Sequence, residues 1–359
     1  METMESYSEK RRSSCGLAGL MNENGERMSG EKIINSISVM QERSSGLGGG
    51  FSAYGIYPDY SEQYAFHLIY ENKGAKEKTE KYIGKNFDII KDEAIPTREP
   101  KNSVSSPPIL WRYFLDTKEG FSKEMAEKDF VMEKVMEINR GVEDAFVISS
   151  GKNMGIFKGV GFPRDIGRYY RLSEYEGYTW IAHGRFPTNT SGWWGGAHPF
   201  GLLDWSIAHN GEISSYGINR RALLDNGYHC ALDTDSEVIA YLFDLLGRKH
   251  DLDFDTIADV LAAPFWEEID REGKEMSLHR AIRITYGSEL VNGPFAVIVG
   301  KQGKMVGLND RIKLRPLVVG REGDMLYMAS EESGIREVCH NPDRVWAPKA
   351  GEPVVGELR

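Results

Sequence analysis

The chain has 359 residues, 40% of them hydrophobic and 27% charged, which is the balance of an ordinary globular protein and not of a disordered or collagen-like one. Its 44 Lys and Arg against 54 Asp and Glu give a net charge of −10, and no basic run could neutralise a nucleic-acid backbone. The longest apolar stretches fall far below the ~20 residues of a membrane-spanning helix. We therefore expect one or two domains and no binding to nucleic acid or membrane.

The N-terminal 14 residues differ in composition from the rest of the chain. They are polar and lack the apolar segment of a secretory signal, so we expect a cytoplasmic protein. The composition changes at the run Cys-Gly-Leu-Ala-Gly-Leu over residues 15–20, which is typical of a strand. We interpret residues 1–14 as a leader and residues 15–359 as the folded domain.

The predicted elements are many short strands with few long helices. In chain order we expect a helix capped by Ser29, a glycine loop at 46–50, a strand at 64–70, a helix at 74–85, a strand at 87–95, an irregular connection at 96–108, a helix at 121–139, a hairpin formed by 145–149 and 155–160, and strands at 180–183, 206–209, 295–299, 305–308, 317–319 and 325–329. This pattern favours an α+β fold with antiparallel pairing over a βαβ series.

Cys15 is the first residue that could perform chemistry. If the 14 preceding residues were removed, its α-amine, with a pKa near ~8, would lie two bonds from the side chain and could accept the thiol proton. The alternatives are a lipid-modified cysteine, for which the preceding residues lack the apolar segment, and an ordinary buried cysteine. Cys230 and Cys339 lie far from Cys15 without CxxC spacing, so no disulfide framework or zinc ribbon is predicted.

Arg185 lies in the segment Ala-His-Gly-Arg-Phe-Pro-Thr-Asn-Thr, residues 182–190, after a predicted strand. A guanidinium at that place can hold a carboxylate through two parallel hydrogen bonds, and the nearby Trp193 and Trp194 can exclude water from the pairing. A structural salt bridge is an equally good interpretation of Arg185 alone.

Asn210 and Gly211 lie in the segment Ile-Ala-His-Asn-Gly-Glu-Ile, residues 207–213. An Asn-Gly pair is first of all a turn signal. The side-chain amide of Asn210 and the backbone N–H of Gly211 could also stabilise an oxyanion, which acyl transfer requires. Three histidines match no compact metal motif, so no metal site is expected: His183, His198 and His209.

Asp235 lies in the segment Asp-Thr-Asp-Ser-Glu, residues 233–237, ahead of an apolar helical face. Thr234 and Glu237 have capping-box spacing, which predicts the N-terminus of a helix. Asp235 is then a surplus acid, which either complements the helix dipole or holds a substrate ammonium.

Taken in order, these motifs resemble those of the class II glutamine amidotransferases, which are N-terminal-nucleophile hydrolases. The closest likeness is to the amidotransferase part of glutamate synthase, whose arginine motif has serine where this chain has Pro187. Residues 310–316, Asp-Arg-Ile-Lys-Leu-Arg-Pro, and residues 329–331, Ala-Ser-Glu, are similar to two further segments of that family. The likeness spans about Cys15 to Gly334, except that a segment at about 60–178 is not covered by the motifs.

The resemblance implies a four-layer αββα fold with two antiparallel sheets between helices. It implies that Cys15 is the nucleophile and that its freed amine is the base. It further implies that Arg185 binds the α-carboxylate of glutamine and Asp235 its α-ammonium, and that Asn210 and Gly211 form the oxyanion hole.

Two features of the chain depart from the family's pattern. The family commonly has Arg-Gly after the first helix where this chain has Arg43-Ser44, which leaves the role of Arg43 open. The α-amine of Cys15 is exposed only if the chain is cleaved after Ser14, for which autocatalysis by Cys15 is a reasonable hypothesis.

By the same resemblance we expect an amidotransferase subunit that takes L-glutamine and passes ammonia to a separate synthase subunit, for glutamate synthesis from 2-oxoglutarate. No cofactor is expected in this chain, because isolated cysteines cannot ligate a cluster; the flavin and iron–sulfur cluster would belong to the partner synthase. The alternatives are another synthase, such as one forming N-methylglutamate, an unprocessed non-catalytic regulatory subunit, and a papain-like hydrolase pairing Cys15 with His183 or His209.

Overall fold

The computed structural model describes residues 14–100, 103–186, 192–271 and 277–359. Expectations for residues 1–13 of the leader and for residues 187–190 of the arginine motif lie outside the described residues. In the described ranges the helices are α1 (Glu31–Ser38), α2 (Lys73–Asn86), α3 (Glu124–Gly141), α4 (Pro163–Tyr169), α5 (Tyr216–Asp225), α6 (Asp235–Asp244), α7 (Phe254–Leu261), α8 (Trp266–Arg271), α9 (Leu278–Thr285) and α10 (Glu332–Arg336).

The strands of the described ranges are β1 (Gly16–Asn22), β2 (Met28–Ser29), β3 (Gly49–Tyr54), β4 (Tyr64–Tyr70), β5 (Phe87–Ala94), β6 (Ile109–Thr117), β7 (Ala145–Ser149), β8 (Met154–Gly159), β9 (Glu176–Gly177), β10 (Thr179–Gly184), β11 (Phe200–Leu202), β12 (Trp205–Gly211), β13 (Phe295–Lys301), β14 (Lys304–Asn309), β15 (Val318–Glu322), β16 (Met325–Ala329), β17 (Arg344–Trp346) and β18 (Val354–Glu357). All pairings between them are antiparallel.

Two sheets packed face to face form the centre of the molecule. One has the order β17-β15-β16-β1-β10-β3-β8 and the other β11-β12-β13-β14-β18. Alternate apolar residues of both sheets, among them Leu17, Ile181, Ala208 and Ile298, fill the layer between them, because successive side chains of a strand point to opposite faces.

Helices cover the two outer faces of this sandwich. On the seven-stranded sheet, Ile33 and Ile37 of α1 and Ile166 of α4 join the core. On the five-stranded sheet, Val238 and Leu242 of α6 pack in a core with alternate residues of β12 and β13. The expected α+β class and its four layers, helix-sheet-sheet-helix, are thereby confirmed.

A further sheet accounts for much of the segment that no motif covers. Strands β5-β6-β4-β7 form this added sheet, and α2 and α3 contribute to the apolar core on one of its faces. The same uncovered segment also supplies β8 and α4 to the sandwich. Within the described ranges, every helix is too short or too polar to cross a membrane.

Most predicted strands are confirmed to within two residues, but the hairpin at 145–160 is wrong. β7 pairs with β4 of the added sheet, whereas β8 pairs with β3 of the sandwich. The Gly-Lys-Asn segment between them is therefore a crossing from one sheet to another. Gly49 and Gly50, expected in a loop, begin β3. The N-cap of α1 is Gly30, one residue after the predicted Ser29.

Candidate functional site

The ends of four elements meet at one end of the sandwich. β1 and β10 are antiparallel with Gly16 opposite Gly184, so the residue before β1 lies beside the residue after β10. The ring Nε2 of His183 on β10 donates to the carbonyl of His209 on β12 at 3.0 Å, which joins the two sheets there. The backbone N–H of Ile213, just after β12, donates to Asp235 at the start of α6 at 3.2 Å.

Cys15 lies at this junction. Its Sγ accepts the backbone N–H of Phe186 at 3.4 Å. Burial raises the pKa of the Cys15 thiol, while the Phe186 N–H and the positive charges of Arg185 and Arg315 oppose that rise. The thiol is therefore neutral at rest, and a base must remove its proton before it can act as a nucleophile.

Arg185 is half-buried next to Cys15. Its backbone is fixed on both sides, because its N–H donates to Gly48 at 2.9 Å and its carbonyl accepts from Ser45 at 3.0 Å. Burial lowers the pKa of its guanidinium, and the nearby Cys15 and Asp235 oppose this. The side chain remains a cation and can meet an incoming carboxylate.

Arg43, whose role the sequence left open, lies at the same junction. Its guanidinium donates to the hydroxyl of Ser14 and forms an ion pair with Glu331. The neighbouring Ser330 accepts the N–H of Leu17 at 3.0 Å and donates its own N–H to the Leu17 carbonyl at 3.0 Å. The Ala-Ser-Glu segment thus holds the start of β1.

Asn210 and Gly211 close β12. Asn210 shares the inner face of the sandwich with Ala208, and its buried side-chain nitrogen has no hydrogen-bond partner among the described residues. A Cβ at position 211 would lie 2.0 Å from the Pro294 carbonyl, so only glycine fits there. An amide donor with spare capacity is what an oxyanion site needs.

Asp235 is held by donors on both carboxylate oxygens. Its Oδ2 accepts the Ile213 N–H at 3.2 Å, and its Oδ1 accepts the Ser236 hydroxyl at 3.2 Å. The predicted helix start is confirmed, with Thr234 at the N-cap accepting from Ser236, but the capping box is incomplete. Glu237 instead accepts the N–H groups of two residues in the preceding loop.

Three buried histidines lie behind this carboxylate. The rings of His183 and His198 stack with centroids 3.9 Å apart. Burial lowers the pKa of His183 to about 3 and also lowers the pKa values of His198 and His209, so all three rings are neutral at pH 7. Among the described residues, no group of three or more His, Cys, Asp or Glu side chains is arranged to hold a metal ion.

Arg315 is a site residue that sequence reasoning did not single out. Its positive charge opposes the rise in the pKa of Cys15 and adds to the fall in the pKa of His209. The buried carboxylate of Asp310 holds its loop by accepting the N–H groups of Ile312 at 3.1 Å and of Arg315 at 3.3 Å. The signal was its place in the Asp-Arg-x-x-Leu-Arg-Pro segment, in which Asp310 shapes the loop and Arg315 faces the site.

The sandwich therefore places the predicted residues around one region: a thiol, a guanidinium, a carboxylate and an amide donor. A cation and an anion together can bind both charged ends of an amino acid, and the amide can stabilise an oxyanion. The papain-like alternative has no support here, because among the described residues the Sγ of Cys15 bonds to the Phe186 N–H and to no histidine ring.

A family model described as the class-II glutamine amidotransferases matches residues 62–251, just over half of the chain. The matched range contains Arg185, Asn210, Gly211 and Asp235, and Cys15 precedes it. An uncharacterized protein of Archaeoglobus fulgidus is 49% identical over 356 residues, which are 98% of this chain and 94% of that protein.

Two similar proteins are much longer than this chain. The amidophosphoribosyltransferase of Methanocaldococcus jannaschii is 26% identical over 202 residues, which are 55% of this chain and 37% of that enzyme. The glutamine phosphoribosylpyrophosphate amidotransferase of B. subtilis, solved with ADP and GMP, matches with a TM-score of 0.49 at 15% identity, over 96% of this chain and 47% of that one. This chain thus spans less than half the length of either enzyme.

Proposed function

Since the chain belongs to the class II glutamine amidotransferases, we propose that it hydrolyses glutamine at Cys15 and passes the ammonia to a separate synthase subunit. The observation that carries this proposal is the junction of β1 with β10. There the Cys15 thiol accepts a backbone N–H at 3.4 Å, beside the Arg185 guanidinium and within the field of Asp235.

The two charged side chains position the substrate. We propose that Arg185 binds the α-carboxylate of glutamine and Asp235 its α-ammonium. Holding both ends of the amino-acid head fixes which carbonyl carbon reaches the sulfur, so recognition of the head group also orients the reaction.

The chemistry proceeds through a thioester. The α-amine of Cys15, exposed once residues 1–14 are removed, takes the thiol proton, and the sulfur attacks the side-chain amide carbon. Asn210 and the Gly211 N–H stabilise the oxyanion. The protonated amine returns the proton to the leaving nitrogen, ammonia departs, and water hydrolyses the thioester to glutamate and the free thiol.

The ammonia acceptor would be a glutamate synthase-type subunit that forms glutamate from 2-oxoglutarate. The similarity of the 185–190 and 310–316 segments to glutamate synthase supports this choice. The flavin and iron–sulfur cluster of that reaction would be held by the partner, since this chain has only isolated cysteines.

The intact mass of the protein purified from its native host, together with its glutaminase activity, tests the proposal. We expect a mass that begins at Cys15, and ammonia release that Cys15→Ala abolishes while the circular dichroism spectrum is unchanged. Cys230→Ala is the matched control, because burial raises the pKa of that half-buried thiol and nothing assigns it a role.

Two outcomes would contradict the proposal. A mass beginning at Met1, with no ammonia release from glutamine, would favour the non-catalytic regulatory subunit. Full activity with the leader attached would favour a hydrolase that does not need the α-amine. Adding candidate synthase subunits and identifying the aminated product then separates glutamate synthesis from N-methylglutamate synthesis.

A further inference from the structure

The hydroxyl of Ser236 lies at the centre of a buried cluster that the proposed mechanism does not use. Its Oγ is 2.7 Å from Nε2 of His198, 3.0 Å from Nδ1 of His209 and 3.2 Å from Oδ1 of Asp235. Ser236 and both histidines are less than a tenth exposed. One side chain thus links two imidazoles to a carboxylate of the site.

The hydrogen-bond network assigns a proton to each partner. A carboxylate only accepts, so the Ser236 hydroxyl donates to Asp235 and its two lone pairs remain for donors. The nitrogens next to it, Nε2 of His198 and Nδ1 of His209, therefore hold the ring protons. Since each neutral ring has one proton, the opposite nitrogens are bare.

The assignment agrees with the unpaired atoms of the cluster. Nδ1 of His198 and Nε2 of His209 are buried and have no partner among the described residues, and they are the two nitrogens left without a proton. His183 follows the same rule, because its Nε2 proton goes to the His209 carbonyl and its unpartnered Nδ1 is bare. No ring N–H of the three is buried without an acceptor.

We propose that Ser236, which accepts from His198 and His209, is a positioning residue that orients the Asp235 carboxylate toward the α-ammonium of glutamine. The inference rests on the proposed function, in which Asp235 binds that ammonium. Through Ser236 and Asp235 the site would distinguish glutamine from the same amide without its α-amino group.

The geometry explains why a positioning residue is needed. The Asp235 side chain is 25% exposed and starts a helix, so solvent competes for its oxygens. Ser236 at 3.2 Å and the Thr234 hydroxyl at 3.5 Å donate to Oδ1, and the Ile213 N–H donates to Oδ2 at 3.2 Å. Donors on both oxygens fix the carboxylate plane, and Oδ2 keeps a lone pair for a ligand. Two donors on the Ser236 oxygen polarise its O–H and strengthen the bond to Asp235.

The test compares the binding of L-glutamine with that of glutaramate, which is glutamine without its α-amino group. Dissociation constants are measured by calorimetry on a Cys15→Ala chain produced without residues 1–14, so that the site is in its processed form and no hydrolysis occurs. Ser236→Ala should weaken glutamine binding about tenfold and leave glutaramate binding within about twofold. Asp235→Asn should abolish the preference for glutamine.

Ser206→Ala is the matched control. Ser206 is buried in the same sandwich and bonds to Ser52 and Tyr54, both at 2.8 Å, so its loss removes a buried hydroxyl elsewhere. It should leave both dissociation constants unchanged. If Ser236→Ala does not fold, Ser236→Cys keeps the volume with a weak donor and should show the same loss, while Ser236→Thr should preserve the preference.

The outcomes separate this inference from the proposed function. If Ser236→Ala or Ser236→Cys weakens both ligands equally, the role of Ser236 is structural and the inference is wrong. If Asp235→Asn keeps the preference for glutamine, Asp235 does not bind the ammonium, and that part of the proposed function fails with it. A preference lost in both variants supports both.

Discussion

Buried polar groups are arranged differently at the proposed catalytic end of the sandwich, where Cys15, Arg185 and Asp235 meet, and in the side-chain network that joins the added sheet to the sandwich. At the catalytic end, donors and acceptors are left with spare capacity: the amide nitrogen of Asn210, the Nε of Arg315 and three ring nitrogens have no partner among the described residues. Natural proteins tolerate few such groups, and those that remain call for an explanation. A site that must receive a ligand supplies one.

Where the added sheet meets the sandwich, the side chains of Arg112, Tyr57 and His67 form a continuous hydrogen-bonded network, which we call the closed chain. Arg112 on β6 donates to the Tyr57 hydroxyl at 3.2 Å, Tyr57 donates to Nε2 of His67 at 2.9 Å, and Nδ1 of His67 donates to the Ile156 carbonyl on β8 at 3.0 Å. Arg112 also pairs with Glu93. The comparison indicates that the first region is built to bind and the second to hold two parts of the fold together.

The largest effect is expected at the proposed carboxylate site. Arg185→Lys keeps the charge but loses the planar fork, so the KM for glutamine should rise roughly 100-fold with little change in kcat. Steady-state ammonia release at varied glutamine measures both constants. Arg220→Lys, at an exposed pair with Asp233, is the control and should change neither constant. An unchanged KM in Arg185→Lys would remove Arg185 from the carboxylate site.

The closed chain should respond in stability and not in glutamine binding. Arg112→Met removes the partner of Glu93 and the donor to Tyr57, and it should lower the free energy of unfolding by about 3 kcal/mol. The KM for glutamine should stay within about twofold, because the residue lies in the added sheet. Urea unfolding and glutaminase kinetics measure the two quantities. Arg98→Met, at an exposed pair with Glu174, should cost no more than about 1 kcal/mol.

A KM for glutamine that rises well beyond twofold in Arg112→Met would contradict the comparison between the two regions. It would mean that a structural change in the added sheet alters the geometry of the proposed glutamine site. Contacts for such transmission exist, since the Trp194 indole donates to the Ser105 carbonyl at 2.9 Å and Trp193 packs against Phe146 of β7.

The same chain makes a prediction about acid. Burial lowers the pKa of His67 to about 3, below its unfolded value near 6.5, so the unfolded state binds more protons between these values. The stabilisation is present above pH 6.5 and is lost as the pH falls toward 3. At pH 4.5 the protonation of His67 alone should lower the free energy of unfolding by roughly 2.5 kcal/mol relative to neutral pH.

His67→Gln should remove that part of the pH dependence. Unfolding free energies from pH 7 to pH 4.5 should fall less steeply in this variant than in the wild type, whatever its stability at pH 7. His340→Gln, at an exposed position, should leave the slope unchanged. Equal slopes in His67→Gln and the wild type would show that His67 is not buried as a neutral ring.

The sequence predicted best what neighbouring residues and ordered motifs determine. Strand β4 is predicted to the residue, because apolar runs bounded by turn residues are local signals. The hairpin at 145–160 failed because alternation does not reveal which sheet a strand joins. That choice depends on β4, about 80 residues before β7, and on β3, about 105 residues before β8.

The candidate site was only partly predictable, because only some of its residues lie in recognisable motifs. Cys15, Arg185, Asn210 and Asp235 stand in motifs whose order matches a family, and the roles assigned to them stay predictions. The histidines matched no metal spacing, and their common partner Ser236 emerges only from the fold, since His198 and His209 reach it from different segments. Arg315 required knowledge of the loop that Asp310 holds.

The smallest expected effect concerns Arg43, which shares features of both regions. It is buried like the structural residues, yet its guanidinium donates to Ser14, immediately before the proposed cleavage point. Because one charge-assisted hydrogen bond is lost, Arg43→Met should slow the appearance of chains that begin at Cys15 by about threefold to tenfold.

Mass spectrometry after induced synthesis measures this rate, and Arg27→Met is the control because Arg27 contacts only the Gly55 carbonyl at 3.5 Å among its described hydrogen bonds. Arg43→Lys keeps the charge, so its maturation rate should lie between those of Arg43→Met and the wild type. If Arg43→Met matures at the normal rate but unfolds at lower urea, Arg43 acts with Glu331 as a structural clamp on β1 and belongs with the closed chain of the added sheet. Slow maturation at normal stability would place Arg43 with the proposed catalytic end, because its hydrogen bond to Ser14 would then assist cleavage of the Ser14–Cys15 peptide bond.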